Sequence, residues 1–319
     1  MNILVTGATG FVGSRIINVL NSMDQFTPIA AVRDENNQLD SKVQSVTVDS
    51  LGPDNSWSSS IKNINIVIHV AARVHVMTDD VKDTLSEYRK VNVEGTLNLA
   101  KQAANAGVKR FIFISSIKVN GESTTLGIPF TEKNIPKPVD PYGISKYETE
   151  QGLKLLATTT GMEIVYIRPV LVYGPGVKAN FHTMMKWLYR GVPLPFGSIH
   201  NKRSLIALDN LVDFIITCVE HPAAANEVFL ISDGEDLSTT ALLKKLTKAL
   251  DQRSYLLPIN QNILESSLNL IGKKHLVQRL CGSLQVDISK AKKLLNWTPS
   301  ISVDEGLRIT AEHFLDEHS

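Results

Sequence analysis

The sequence predicts an α/β fold, a doubly wound parallel sheet with a smaller mixed C-terminal lobe. Three observations carry this. In the first half, short β-branched and apolar runs alternate with longer helical patterns, as in strand-helix-strand units with a buried parallel sheet. The first of those runs ends directly in a glycine-rich turn that opens a helix. After Arg168 the alternation breaks up among Pro169, Gly174, Pro175, Gly176, Pro193, Pro195 and Gly197, which marks the start of a second lobe. At 319 residues the chain exceeds a usual domain of about 100–200. The expected division is 1–170 with a return segment near 207–232, against 171–206 and 233–319.

The expected strands are Asn2 to Thr6, Pro28 to Val32, Ser45 to Val48, Ile64 to Val70, Arg110 to Ser115 and Glu163 to Arg168. Phe11 to Met23 and Leu85 to Ala106 carry apolar residues at helical spacing and serve as crossovers, with Gly107 as a left-handed stop. The chain then returns to the main sheet through a helix, Asp209 to Glu220, and a strand, Val228 to Ser232. It ends in helices near Thr239 to Leu250 and Val303 to Leu315. Leu256 to Gly282 reads as helical, with no role assigned.

Charge excludes some classes of function. With 33 basic against 32 acidic side chains and no dense basic run, nothing is suited to neutralise a phosphate backbone, so no nucleic-acid partner is expected. Cys218 and Cys281 stand outside any ligand or disulfide spacing, which argues against structural zinc and fits a reducing cytoplasm. His69, His75, His182 and His200 read as structural or loop residues, and no metal site is expected. No apolar run reaches the 18 or so residues of a membrane span, and no leader is expected ahead of Ile3.

Thr6-Gly7-Ala8-Thr9-Gly10-Phe11-Val12-Gly13 sits between strand and helix, the context in which glycines bind a dinucleotide in a Rossmann-type unit. Gly7 allows the tight turn, Gly10 lets the main chain approach a pyrophosphate, and Gly13 allows helix and strand to close up. An acid at the end of the second strand would accept hydrogen bonds from a ribose hydroxyl, whereas an arginine would accommodate a 2′-phosphate. Arg33 and Asp34 both stand there; if Arg33 is the deciding residue, NADP(H) is favoured over NAD.

Tyr142 and Lys146 lie at i and i+4, on one face of a helix that Pro141 starts. A phenol has a pKa near 10, too high for a neutral-pH base, and a nearby ammonium together with an oxidised nicotinamide would stabilise its anion. By itself the pair is a common surface pattern. Its position, after a strand ending in Ile114-Ser115-Ser116, where parallel sheets place ligands, gives it weight. Ser116 is the expected third member, donating to a substrate oxygen as charge grows there.

These features resemble the short-chain dehydrogenase/reductase family in its extended, nucleotide-sugar epimerase and reductase branch, the UDP-glucose 4-epimerase-like group. The resemblance runs along almost the whole chain. It includes Ala71-Ala72, Val91-Asn92-Val93, Arg168-Pro169, Asp287-x-x-Lys290-Ala291 and Trp297-x-Pro299. It implies an NAD(P) cofactor held by Gly7, Thr9, Gly10, Phe11, Val12, Gly13, Arg33, Asp49, Ser50, Ala71, Ala72, Pro169 and the catalytic Tyr142 and Lys146. It implies that Asn92 supports the active-site helix and a proton-relay water, although a buried Asn bridging backbone groups would look the same. The family's Ser-Ser-x-x-Val-Tyr-Gly pattern selects Ser116 over Ser115. This chain departs from it at Asn120, where Tyr is usual, and at Lys118, a cation that reads either as a solvated loop residue or as a substrate contact.

The resemblance further implies a UDP-sugar substrate whose diphosphate Arg203 grips, with Asn180 and Phe196 as lesser contacts, and a homodimer. Arg73 and His75 belong to a loop similar to a subgroup acting on UDP-N-acetylated, often 6-deoxy, sugars. Arg33, and Leu171 where many epimerases carry Asn, lead us to expect a reductase of a UDP-4-keto-6-deoxy-N-acetylhexosamine. The alternative is an NAD-dependent UDP-hexose or UDP-N-acetylhexosamine 4-epimerase. A dehydratase would want an Asp-Glu pair where Ile117-Lys118 stand, and a regulator that only binds NADP(H) would not need Tyr142, Lys146 and Ser116.

Overall fold

The computed structural model describes residues 1–33, 39, 42–74, 84–270, 272 and 274–318. The strands in chain order are β1 (Asn2–Thr6), β2 (Thr27–Val32), β3 (Gln44–Thr47), β4 (Ile66–His69), β5 (Arg110–Ile114), β6 (Glu163–Pro169), β7 (Leu171–Tyr173), β8 (Arg203–Ala207), β9 (Val228–Ile231) and β10 (Asp236–Leu237). Seven of them form one parallel sheet in the order β3-β2-β1-β4-β5-β6-β9, doubly wound as expected. The return strand thus extends the sheet beside β6. β7, β8 and β10 make a smaller sheet of mixed direction.

The helices are α1 (Phe11–Asn21), α2 (Thr84–Tyr88), α3 (Thr96–Asn105), α4 (Pro141–Thr160), α5 (Ala179–Tyr189), α6 (Leu208–Glu220), α7 (Thr239–Ala249), α8 (Gln261–Leu270), α9 (Lys274–Cys281), α10 (Ser289–Leu295) and α11 (Val303–Asp316). Alternate residues of the strands sort them onto the two faces of the sheet. Ile3, Val5, Ile68 and Ile112 pack with Ile16 and Ile17 of α1 and Leu211 and Phe214 of α6. Leu4, Val67, Phe111 and Phe113 pack with Leu99 and Ala103 of α3 and Leu153 of α4. A third core joins Tyr173, Phe181, Leu205, Leu243 and Phe314 in the second lobe. The stretch holding Val286, Ala291 and Trp297 packs into the first core, beside β9.

Two helix ends show how side chains fix the frame. The α6 C-terminus presents the carbonyls of Cys218, Val219 and His221 to Arg110 Nη1 at 2.7, 3.0 and 3.1 Å, a cation at the negative end of a helix dipole. At α4, Asp140 accepts from the Gly143 amide at 2.6 Å, Pro141 occupies the first turn, and Gly161 closes the helix at φ 72°.

The single helix expected over Leu85 to Ala106 is α2 and α3 joined by a π-helical turn, Arg89–Gly95. Periodicity of apolar residues cannot reveal one extra residue per turn. The widened turn brings Gly95 so close to the chain after β3 that a Cβ there would lie 2.9 Å from Gly52 N. Among the described residues no helix is long and apolar enough to cross a membrane, and no cluster of His, Cys, Asp and Glu could hold a metal ion.

Candidate active site

The glycine loop divides its labour as the spacing suggests. Gly7 takes φ 69°, and a Cβ on it would lie 2.8 Å from Ala71 N. A Cβ on Gly13 would sit 2.1 Å from Gly7 O, so this glycine is required by contact between helix and loop. Gly10 is different: it is exposed, and its absent Cβ would meet only Gly7 O, at 3.2 Å. No side chain caps α1, and its first turn holds no acid, so the leading amides of Phe11, Val12 and Gly13 are left for an anion. An open cradle over Gly10 facing uncapped amides fits a dinucleotide pyrophosphate. Thr9, Arg33, Asp49 and Ser50 are exposed near the carboxyl ends of β1, β2 and β3, Ala71 and Ala72 follow β4, and Pro169 ends β6 in a buried position.

Beside this cradle, α4 carries Lys146, only 2 % exposed, whose Nζ donates to Ile114 O at 2.8 Å and lies 4.6 Å from the Phe113 ring centre. Burial pulls its pKa down to about 7, against an upward pull from Glu150. The same Nζ is 5.8 Å from the Tyr142 ring centre. Tyr142 packs edge-on against Tyr88 at 6.2 Å. Burial, then Asp140 and Tyr88, raise the phenol above its ordinary value. The protein groups that act on it thus favour the protonated phenol, so a phenolate at this position calls for positive charge beyond that of Lys146.

At the end of β5 the two serines take opposite tasks. Ser115 is buried and donates to Glu150 Oε1 at 2.5 Å. Ser116 is half-buried and caps the short 3-10 turn Ile117–Val119, its Oγ accepting from Lys118 N at 3.2 Å. That acceptance leaves the Ser116 proton for another oxygen. Lys118 has its ammonium paired with the α4 cap Asp140 and 3.7 Å from Glu122, and its side chain stays 38% exposed. Gly143 admits this packing, since a Cβ there would be 3.0 Å from Lys118 O.

Asn92, 1 % exposed within the π-helical turn, bridges backbone and side chain. It accepts from Arg73 N at 2.8 Å and donates to Arg73 O and Ser145 Oγ at 3.1 and 3.0 Å, fastening the loop after β4 to α4. The Arg73 guanidinium lies 5.9 Å from the Tyr88 ring centre. His75 lies outside the described residues, as does Asp34. His69 is buried between Thr6 and Thr96, 2.8 and 2.9 Å from its ring nitrogens, and burial with the Lys146 charge lowers its pKa to about 3.

In the second lobe Arg203, on β8, donates to Gly282 O at 3.1 Å. Burial and the charge of Arg279, on α9, lower its pKa. Two guanidinium groups close enough for one charge to act on the other suit a diphosphate. The sequence reading missed Arg279, which lies in the helical stretch to which it gave no role. It also missed Glu150, although i+4 spacing from Lys146 puts it on the same helix face. Asn180 is exposed in the first turn of α5, after Ala179 at φ 55°, a conformation rare for a non-glycine residue. Phe196 packs partly into the second-lobe core, and its carbonyl accepts from Thr240 Oγ1 at 2.6 Å.

Comparison with known proteins places this arrangement. Residues 3–232 match the NAD dependent epimerase/dehydratase family. The chain is 47% identical over 319 residues to a UDP-glucose 4-epimerase of Vibrio cholerae, covering 100% of this chain and 97% of that one. It superposes on the crystal structure of a Thermotoga maritima UDP-glucose 4-epimerase with UDP-glucose at TM-score 0.78 and 27% identity, over 100% of both chains. A Bacillus cereus UDP-glucuronic acid 4-epimerase in complex with NAD shares the fold at TM-score 0.81 and 24% identity, again over 100% of both. The chain belongs to the NAD dependent epimerase/dehydratase family. It is an NAD-dependent enzyme of the nucleotide-sugar epimerase and reductase type. The NADP(H) preference expected from Arg33 gains no support: that side chain is exposed just beyond β2, and the matching family is one that depends on NAD.

Proposed function

We propose that this chain is a UDP-sugar 4-epimerase that works with bound NAD. The observation that carries the reading is 47% identity, along the whole chain, to a protein named UDP-glucose 4-epimerase. The reductase expected from Arg33 and Leu171 rests on less. Leu171 is 49% exposed at the start of β7, and neither residue makes a contact that demands a one-way reduction.

The hydrogen on C4 of a UDP-hexose has no neighbouring carbonyl to acidify it, so inversion requires that C4 become a ketone and be reduced again. NAD held at Gly7, Gly10 and Gly13 would supply the hydride-accepting ring and a positive charge to favour the Tyr142 phenolate. Tyr142 Oη takes the proton from the C4 hydroxyl and later returns it to the same oxygen. Ser116 Oγ donates to that oxygen while it carries developing negative charge. Lys146, anchored on Ile114 O, offers the ammonium that favours the phenolate. Arg203 and Arg279 hold the diphosphate while the hexose presents its other face.

The test is to incubate purified protein with UDP-glucose, and separately with UDP-N-acetylglucosamine, without added nucleotide and to follow the C4 configuration by proton NMR. The C4-inverted sugar is the expected product. No inversion, with NADH or NADPH consumed on a UDP-4-keto sugar, would turn the assignment to the reductase.

A further inference from the structure

Beneath the proposed reaction centre lies a buried ionic cluster that the chemistry above does not use. Glu150, one turn beyond Lys146, shares the α4 face of Tyr142 and Lys146 and is 4% exposed. Its Oε1 accepts from Ser115 Oγ at 2.5 Å and from Arg168 Nε at 3.0 Å, and its Oε2 accepts from Arg168 Nη2 at 2.5 Å. Arg168, at the end of β6, also donates through Nη1 to Asn120 Oδ1 at 2.8 Å, and Asn120 Nδ2 donates to Thr131 O at 3.1 Å. The cluster ties β5, β6, α4 and the loop beyond the short 3-10 turn. We propose that Glu150 is a positioning residue for this reaction: by engaging Ser115 and Arg168 it turns Ser116 toward the sugar and fixes the charge behind Lys146.

The geometry carries this in two steps. Successive residues leaving a strand point to opposite sides, so Glu150, by holding the Ser115 side chain on the inner side, fixes the backbone that directs Ser116 to the other side. A buried ion pair is also weak ground for stability alone, because apolar residues of similar volume in its place are often neutral or better. Here the charges are placed where chemistry feels them. The ionisable groups facing Lys146 are His69 from β4, Tyr142 and Glu150 from its own helix and, across Glu150, Arg168 from β6. Lys118 and Arg89, on neighbouring segments, are paired with Asp140 and Glu148. Neutral His69 contributes no charge, so Glu150 is the anion that favours the Lys146 ammonium. Asn120, one of the positions at which this chain departs from the family pattern, accepts from Arg168 and links it to Thr131 O.

The inference rests on the proposed roles of Tyr142, Lys146 and Ser116, and the experiment separates the two. Steady-state kinetics of UDP-glucose inversion are measured from pH 6 to pH 10 for wild type, Glu150→Gln, Ser115→Ala and Tyr142→Phe. Glu150→Gln keeps the shape and removes the charge. It should lower kcat at least tenfold, change KM by less than about threefold, and move the alkaline limb to lower pH as Lys146 loses its proton more readily. Ser115→Ala, which leaves the ion pair intact, should lower kcat several-fold with the limb unmoved. Wild-type kcat and pH profile in folded Glu150→Gln, judged by circular dichroism, overturn the inference. Should Glu150→Gln not fold, unchanged kcat in Ser115→Ala overturns it. An active Tyr142→Phe would instead bring down the proposed roles on which it stands.

Discussion

The two halves of this molecule build their sites in opposite ways. On the dinucleotide side each device is local: Gly7, Gly10 and Gly13 span one turn, and Tyr142, Lys146 and Glu150 follow one another at every fourth position of α4. On the substrate side the parts are distant in sequence. Arg203 stands on β8 and Arg279 on α9, and the charge of one acts on the other where Arg203 pairs with Leu284 and donates to Gly282 O, just beyond α9. Local devices leave short signatures in a sequence, whereas a site assembled by tertiary contact does not.

The comparison is broken most severely from the dinucleotide side. Tyr142→Phe removes the proton carrier without disturbing the Tyr88 contact. It should cost on the order of 10²–10⁴ in kcat while nucleotide binding survives, measured by single-turnover kinetics and calorimetry. Loss of less than about tenfold would make Tyr142 a wall of the pocket. On the other side, Arg203→Ala and Arg279→Ala should each weaken UDP-sugar binding by about 10–100-fold, from charge-assisted hydrogen bonds of about 1.5–3 kcal/mol each. kcat should change less than KM. Equal affinity for UDP in Arg279→Ala and wild type would remove that residue from the site.

Lys146 allows a test that sharpens the contrast between stability and function. Its folded pKa, near 7, is below the usual lysine value of about 10.4, so only the unfolded chain binds this proton readily between those limits. Stability attributable to this group therefore falls as pH drops from about 10 to about 7 and is level below that. Lys146→Met should be inactive yet more stable than wild type at pH 7, by about 1–3 kcal/mol, with the gap closing toward pH 10. Chemical denaturation at the two pH values reads this directly, and a destabilised variant at pH 7 would mean that the bond to Ile114 O outweighs desolvation. The smallest effect belongs to Leu171→Asn, which should change turnover less than about threefold because the side chain is 49% exposed at the head of β7.

Much of the fold was legible for the same reason that the dinucleotide side was. The buried parallel strands are continuous apolar runs such as Phe111-Ile112-Phe113, and the glycine loop sits at a fixed place after the first of them. The π-helical turn at Arg89–Gly95 was not legible, because it adds a residue without altering which residues are apolar. Asn92 could be read as buried, but its clamp on Arg73 and Ser145 depends on that turn. The pairing of Lys118 with Asp140 was hidden because the two residues belong to separate segments, and the ordinary expectation for a loop lysine is water. Arg33 alone did not decide the dinucleotide: it is exposed beyond β2, and the family that the chain matches is NAD dependent.

In the proposed epimerase, hydride leaves C4 and returns to it from one bound nucleotide. UDP-glucose carrying deuterium at C4 is incubated with the enzyme and an excess of unlabelled NADH, and the UDP-galactose formed is examined by mass spectrometry and NMR. Retention of the deuterium at C4 of the inverted sugar is the outcome this account requires. Hydrogen in place of deuterium at C4 of the inverted sugar, delivered by added NADH after the bound nucleotide has exchanged, would contradict it.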